Sequence, residues 1–316
     1  MHHVFSRQYN YTKASCLIIF SLAVSPNLQA NNLTVGIDQS IQYRNVLDNE
    51  IKLNPAGINL SASFELSPKW QLSLDHQKYN DDSLDNKLFE TQFDLSTFGA
   101  GVSYYANDFS LSLYYSHSKD DFLVLSNRNR QNQQVENSRS SLISASIDYA
   151  WERQNWFYDL SLTTQYNSFD NNSELQKELF NQVLQRKSTN VLSENNKGNF
   201  TMLSSSALVA RSWPLSSART FVLGALFNWN YQISGNSNLL STSTRGLNNT
   251  SRVRTRTNSN GSGVNNALIG DENYGQVVLY TSLDVNSSWS VDVDITKNIA
   301  TTKNERSYSL TVSYHF

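Results

Sequence analysis

Disulfide bonds, a basic charge balance and long apolar runs are all absent from this 316-residue chain. It contains one cysteine, Cys16, which excludes an intramolecular disulfide framework. Its net charge is −2 and only 16% of its residues are charged, which argues against a nucleic-acid partner. Mean hydropathy is −0.48, and after Ala30 no apolar run is long enough for a helical membrane span.

The N-terminus has the features of an export signal. Basic residues precede an apolar segment, Ala14–Val24, that is too short to span a bilayer. The tripeptide LQA then offers a cleavage point after Ala30. We therefore predict a signal peptide over residues 1–30 and a mature domain, without cysteine, over residues 31–316. A buried N-terminal helix is the alternative.

The last ten residues, SYSLTVSYHF, alternate strictly between apolar and polar side chains. A period of two indicates a strand with one apolar and one polar face. This ending resembles the C-terminal strand of bacterial outer-membrane β-barrels, which finishes on phenylalanine after apolar residues at every second position. The resemblance implies an outer-membrane location and a signal for the barrel-insertion machinery, carried by Tyr308, Leu310, Val312, Tyr314 and Phe316. A half-buried strand of a soluble protein is the alternative.

Similar alternation recurs along the mature chain and predicts an all-β fold. Twelve segments show it: 33–43, 57–66, 70–77, Phe89–Tyr105, Phe109–His117, Leu142–Trp151, Trp156–Tyr166, Phe200–Trp213, Arg219–Ile233, Gln276–Val285, Trp289–Thr296 and Arg306–Phe316. An even number fits a closed barrel with lipid outside and a lumen inside. We expect a twelve-stranded antiparallel transmembrane β-barrel that fills the mature chain, with a bulge or a bend near Thr97, where the alternation changes parity.

Short and long connections alternate between the predicted strands. The short ones are SPK, AND, ERQN, PLSSA and NSS, and the long ones are Arg44–Ala56, Asn80–Leu88, Ser118–Ser141, Asn167–Asn199, Ser234–Tyr274 and Lys297–Glu305. This asymmetry predicts short periplasmic turns, long extracellular loops and both termini in the periplasm. A soluble β-sandwich does not require it.

Aromatic residues gather at both ends of the predicted strands. Five of the six tryptophans stand beside short turns, and tyrosines stand at the opposite ends. Two aromatic belts are typical of two membrane interfaces. Within one long loop, Ser173 followed by Leu175, Leu179 and Val183 at helical spacing predicts a short helix.

The polar face of the predicted strands carries more acidic than basic residues. A barrel of this size lies between those filled by their own side chains and those with a wide channel. Because acidic rings favour cations, the inward carboxylates are the candidate selectivity residues: Asp38, Glu65, Asp75, Asp148, Asp159, Asp284, Asp292 and Asp294. Those near short turns, all except Asp38 and Asp75, should gather at the periplasmic mouth. The alternative is that they only link strands through water and hydroxyl groups.

One long loop contains clustered arginines. On the cell exterior these side chains are candidate contacts for lipopolysaccharide phosphates: Arg245, Arg252, Arg254 and Arg256. A solvated loop is the alternative. Outer-membrane lipid, lipopolysaccharide, the insertion machinery and small solutes are therefore the expected partners.

Enzymatic chemistry has little support in the sequence. Lipid-hydrolysing barrels need a histidine beside a serine near the outer rim. His117 stands there, but its neighbours Ser116 and Ser118 should point to the opposite face. We found no metal-ligand spacing or phosphate-binding loop, and expect neither a metal nor a cofactor.

Three function classes remain open for a barrel of this kind. A narrow passive channel for small polar or cationic solutes is the first expectation. The alternative is a non-enzymatic surface barrel whose long loops mediate adhesion, matrix or envelope contacts, and an outer-membrane lipid hydrolase is third. No passenger domain precedes Asn31, which speaks against a complete autotransporter. An open lumen would favour the channel, and a histidine–serine contact at the rim would favour the hydrolase.

Overall fold

The computed structural model describes residues 24–25, 28–46, 49–81, 89–126, 133–181, 186–216, 219–235, 273–299 and 306–315. Within these ranges the chain forms strands and turns only, and no helix there is long and apolar enough to cross a bilayer.

Fourteen strands form one sheet. In chain order they are β1 (Val24–Ser25), β2 (Leu28–Val46), β3 (Asn49–Leu53), β4 (Ala56–Ser67), β5 (Trp70–Asp81), β6 (Phe89–Ala106), β7 (Phe109–Ser126), β8 (Gln133–Arg153), β9 (Trp156–Asn181), β10 (Arg186–Ser216), β11 (Arg219–Gly235), β12 (Asn273–Asp284), β13 (Trp289–Ile299) and β14 (Arg306–His315). The start of β2 at Leu28 lies ahead of the expected cleavage point, and cleavage after Ala30 stays a prediction.

The sheet closes on itself through its first and last long strands. Each strand from β4 to β14 pairs with its neighbour in sequence, and β2 pairs with both β14 and β4. At the seam Ile37 of β2 stands opposite Leu310 on one side and Ile58 on the other. Because β1 and β3 pair only with β2, the ring itself has twelve strands, all antiparallel to their neighbours. The predicted barrel is therefore confirmed.

Alternation along each strand separates an apolar outer face from a polar inner face. In β13 the outward Val293 and Ile295 are 43% and 45% exposed, whereas the inward Asp292 and Asp294 are 9% and 4% exposed. Outward apolar side chains at every second position are what a lipid-facing strand requires. The antiparallel register carries this division to neighbouring strands, since directly opposite residues share a face.

Tight turns close one end of the barrel. Asn107 takes a positive φ of 53° between β6 and β7, and Gln154 and Asn155 take φ values of 50° and 67° between β8 and β9. Two consecutive residues at positive φ form the type of turn that matches the twist of a β-hairpin. The short connections AND and ERQN therefore lie at this end, which we call the short-turn end.

At the opposite end, which we call the outer end because the sequence predicts it to be extracellular, the strands run further than the sequence predicted. β7 extends to Ser126, and β9 and β10 remain paired as far as Asn181 and Arg186. The helix expected after Ser173 is wrong, because this stretch is strand. Its backbone pairs with both β8 and β10, so two ladders of hydrogen bonds outweigh a weak local helical pattern.

Of the bulge or bend expected near Thr97, the bulge is wrong. β6 pairs with β5 and β7 without a register shift at this position. Phe93 and Leu95 instead share the inward face with Thr97, and they belong to a buried cluster with Leu53, Tyr79, Phe122 and Val124. The change in pattern therefore comes from the lumen, whose lining turns from polar to apolar toward the outer end.

Candidate functional site: the acidic lumen and the outer rim

The register places all of the sequence-predicted carboxylates on the inward face. Most of their side chains are buried, while Asp159 and Asp284 are half-buried and Glu65 is exposed near a turn. Buried carboxylates are rare in proteins because desolvation disfavours the ionised form. Their number makes the lumen the first candidate site.

Some of these carboxylates face one another near the seam of the barrel. Asp294 lies within electrostatic range of Asp292 and Asp38, and Asp292 lies within range of Asp284. Asp159 approaches the same group by way of the Tyr280 side chain, which both Asp294 and Asp159 influence. The structure therefore brings Asp38, Asp284, Asp292 and Asp294 together across β2, β12 and β13, and Asp159 of β9 is linked to them only through Tyr280.

The other predicted carboxylates lie apart from the seam group. Asp75 belongs to β5 and Asp148 to β8, where Ser110 donates a hydrogen bond of 3.1 Å to Asp148 Oδ2. Glu65 lies beside the turn between β4 and β5. The predicted gathering at one mouth therefore describes a subset, and the remaining carboxylates are distributed around the wall.

Three further inward carboxylates were missed because they lie in segments read as loops. Asp81, Asp120 and Glu136 are all buried and have inward register. The alternation of Asp120, Phe122 and Val124 continues the pattern of β7 and was the signal available in the sequence. These positions extend the acidic lining toward the outer end.

The described basic side chains lie on the outward face of the barrel. Among the Lys and Arg side chains that the structure describes, none has inward register, and the outward ones include Lys78, Lys119, Arg139, Lys197 and Arg211. The lumen therefore combines many carboxylates with no described lysine or arginine. His315, also inward, lies 3.2 Å from Ser290 Oγ through its Nε2 atom.

Two tyrosines fix lumenal carboxylates by reaching across a neighbouring strand. The Tyr79 hydroxyl donates to Asp38 Oδ2 at 2.8 Å, and the Tyr114 hydroxyl donates to Asp75 Oδ1 at 2.9 Å. Gly99 lies beneath Tyr114, and a Cβ atom there would overlap its hydroxyl group. Hydrogen bonds to a charged acceptor are stronger than neutral ones, so these carboxylates have defined positions.

Apolar side chains narrow the outer half of the lumen. The cluster around Phe93 and Phe122 lines one wall, and a second buried cluster, formed by Phe169, Phe200, Met202 and Tyr274, lines the wall of β9, β10 and β12. The lumen thus has an acidic, hydroxyl-rich middle and apolar groups toward its outer end.

A second candidate site lies on the outer face, where β7 to β10 pass the end of the apolar band. His117 and Ser141 stand opposite each other in neighbouring strands, and His117 Nδ1 lies 3.0 Å from Ser141 Oγ. They line an open cavity of about 520 Å³ together with Arg139, Asp170 and Lys197. Sequence spacing missed this contact because the serine belongs to the next strand.

The structure describes some of the remaining sequence-predicted residues, and others lie outside the described ranges. Tyr308, Leu310 and Val312 are outward and exposed in β14, and Tyr314 packs against Trp289 with ring centroids 4.9 Å apart. Phe316 lies outside the described residues, as do Arg245, Arg252, Arg254 and Arg256. In the described ranges, no group of three or more acidic, histidine or cysteine side chains is arranged to hold a metal ion.

Aromatic pairs mark the short-turn end of the barrel. The ring centroids of Trp70 and Tyr104 are 5.0 Å apart, and those of the stacked Trp151 and Tyr158 are 5.1 Å apart. Trp213 and Phe221 form another pair. Amphipathic rings of this kind favour the membrane interface. They fix the position of one end of the barrel relative to the lipid.

Comparison with known proteins supports the fold and leaves the activity open. No family model and no curated protein matches the chain. Among solved structures it is similar to the translocator domain of autotransporter NalP from Neisseria meningitidis, with 12% identity, 98% coverage of both chains and a TM-score of 0.59. It is also similar to the transport unit of autotransporter AIDA-I from Escherichia coli, with 11% identity, 97% coverage of both chains and a TM-score of 0.55.

A third similar structure is the β domain of the Bordetella autotransporter BrkA, with 10% identity, coverage of 91% of this chain and 99% of that chain, and a TM-score of 0.55. At these identities the likeness is one of fold. The chain has the fold of outer-membrane β-barrels, as its C-terminal strand and its alternation predicted.

Proposed function

We propose that this barrel is a narrow channel that favours cations over anions. The observation that carries the proposal is the separation of charge across the wall: carboxylates line the inward face from Asp284 to Asp81, and the described lysine and arginine side chains lie on the outward face. Acidic linings attract cations and repel anions in pores of this kind.

The lumenal carboxylates need positive partners. Neighbouring like charges such as Asp292 and Asp294 repel each other, and mobile cations or protons reduce this repulsion. Low-dielectric walls focus this field and raise the local concentration of cations. A solute with positive charge therefore has the lowest barrier to entry.

The burial of the inward side chains leaves little free space in the lumen, so the proposed passage is narrow. Gln276 and Asn230 are only 0% and 1% exposed although they belong to the polar face. Phe93, Phe122 and Phe200 project inward nearer the outer end. The proposal therefore concerns ions and small polar solutes rather than large ones.

Reversal potential tests the proposal. The full chain is reconstituted in planar bilayers under a potassium chloride gradient, together with Asp284→Asn/Asp292→Asn/Asp294→Asn. A matched control removes three outward carboxylates, Glu90→Gln/Asp94→Asn/Asp121→Asn. We expect cation preference in the wild type and the control, and a reversal potential closer to zero in the lumenal variant. An anion-selective or non-conducting wild type contradicts the proposal, as does unchanged selectivity in the lumenal variant.

A second candidate function is a serine hydrolase that acts on lipid at the outer rim. It is favoured by the His117–Ser141 contact, in which the imidazole is positioned to accept the proton of a serine nucleophile. Ser141 would attack an acyl ester, His117 would pass the proton to the leaving alcohol, and water would then release the fatty acid from the serine. Labelling with a fluorophosphonate, compared between Ser141→Ala and the control Ser168→Ala, tests it: labelling that survives Ser141→Ala argues against it.

A further inference from the structure

The outward cavity of β7 to β10 carries a charge pattern that neither a channel nor an ester hydrolase explains. Arg139 and Lys197 line it together with His117, whereas Asp170 is its one lining carboxylate. The Lys197 amino group lies 2.9 Å from Asp170 Oδ2. Within the described part of the chain the Arg139 guanidinium forms no ion pair, although Asp170 stands opposite it in β9. Two cations of the cavity therefore share one carboxylate, which leaves an excess of positive charge.

The position of the cavity is set by the end of the apolar outer band. On each of three strands a lining residue comes two positions beyond a well-exposed large apolar outward residue, in the pairs Tyr115 and His117, Ile143 and Ser141, and Tyr166 and Ser168. The outward Leu123, Leu125 and Val135, which lie further along β7 and β8, are only half-exposed. Two residues of a strand span about 7 Å. The cavity therefore begins where lipid tails end and charged headgroups are found.

The shape and donors of the cavity suit a phosphorylated sugar. Arg139 offers a planar array of donors that matches phosphate oxygens, and Lys197 adds a point charge. Ser141, Ser168 and Asn199 contribute hydroxyl and amide groups that can bind sugar hydroxyls. Lys119 is excluded from this set because its amino group lies 2.7 Å from Asp121 Oδ2 and it does not line the cavity.

We propose that this cavity binds the phosphorylated headgroup of an outer-leaflet lipid, the diphosphorylated glucosamine lipid A of lipopolysaccharide. The site is distinct from the loop arginines and does not depend on an open lumen. It fixes one lipid molecule against β7 to β10, the strands that extend furthest beyond the apolar band.

Direct binding of lipid A tests the site. The full chain, folded in detergent micelles, is titrated with diphosphorylated lipid A and with the same lipid after removal of both phosphates. We expect Arg139→Gln/Lys197→Gln to weaken binding of the diphosphorylated lipid at least about fivefold, because charge-assisted hydrogen bonds to phosphate are lost. Dephosphorylated lipid should bind the wild type as weakly as intact lipid binds this variant.

A matched pair of basic residues distinguishes binding in the cavity from attraction to general surface charge. Lys297 and Arg306 are cross-strand neighbours on the outward face, each two positions beyond an exposed apolar residue, and neither lines the cavity. Lys297→Gln/Arg306→Gln should change affinity less than about twofold. Equal losses in the two pairs overturn the proposal, and so does equal binding of the dephosphorylated lipid. If an equal concentration of inorganic phosphate displaces the lipid, the cavity is a site for free phosphate and not for a lipid headgroup.

Discussion

At the scale of single residues, lumenal tyrosines need glycines on the neighbouring strand. Tyr114 of β7 reaches Asp75 of β5 by lying across Gly99 of β6, the strand between them. Tyr79 reaches Asp38 in the same way across Gly57. An aromatic ring over a strand glycine covers backbone that would otherwise be bare, and the hydroxyl at its end fixes a carboxylate.

The close approach at Gly99 gives a stability prediction. Gly99→Ala should destabilise the barrel by about 1–3 kcal/mol, because the new methyl group displaces Tyr114 and breaks its hydrogen bond to Asp75. Urea unfolding in detergent micelles, followed by tryptophan fluorescence, measures the effect. Gly36→Ala is the control, since its nearest neighbour, Thr311 Oγ1, lies 3.1 Å from the added atom. Equal losses in the two variants would show that the tyrosine does not need this space.

At the scale of elements, strand ends depend on pairing that the sequence does not display. Alternation located every barrel strand, because the lipid and the lumen impose opposite demands on successive side chains. It was less informative beyond the apolar band, where the outward face is polar and apolar side chains such as Phe122 lie on the inward face instead. There β9 and β10 continue through pairs such as Asn195 with Asn172, which no hydrophobic pattern marks.

Orientation is a prediction at this scale. Asn137 is exposed near the outer end of β8, and Gln154 is exposed in the short turn that follows the same strand. Single cysteines at these two positions, in a mature chain that otherwise has none, should react differently with a membrane-impermeant maleimide on intact cells. We expect labelling of Asn137→Cys at once and of Gln154→Cys only after the outer membrane is permeabilised. The reverse order of labelling would show that the barrel has the opposite orientation in the membrane.

The closing strand supplies a second prediction for an element. β14 pairs with β13 and with β2, so the ring cannot close without it. Deletion of Phe316 should leave the chain uninserted and degraded, whereas Phe316→Tyr, which keeps an aromatic end, should reach the surface. Surface biotinylation and the heat-dependent gel shift of folded barrels measure this. Normal surface levels of the deletion variant would show that Phe316 is not needed for insertion.

At the scale of the whole molecule, the sites depend on register more than on composition. The sequence indicated an acidic inner face, since parity within one strand is local information. It could not reveal that Asp38 lies near Asp294, or that Ser141 meets His117, because both contacts arise from pairing between strands. The cationic cavity was hidden for the same reason: its lining comes from four strands whose relative offset is a property of the closed sheet.

Charge separation across the wall also predicts how salt affects stability. Neighbouring inward carboxylates such as Asp292 and Asp294 repel one another, and mobile cations reduce that repulsion. Raising potassium chloride from 10 mM to 500 mM should therefore increase the Tm of the folded barrel by a few degrees, since about 1 kcal/mol corresponds to roughly 2–4 °C for a chain of this order of size. Asp284→Asn/Asp292→Asn/Asp294→Asn should start from a higher Tm and gain less.

The outward triple variant, Glu90→Gln/Asp94→Asn/Asp121→Asn, should respond to salt as the wild type does. If all three proteins gain equally, the stabilisation by salt does not come from the lumen, and the carboxylates there are neutralised by protons rather than by cations.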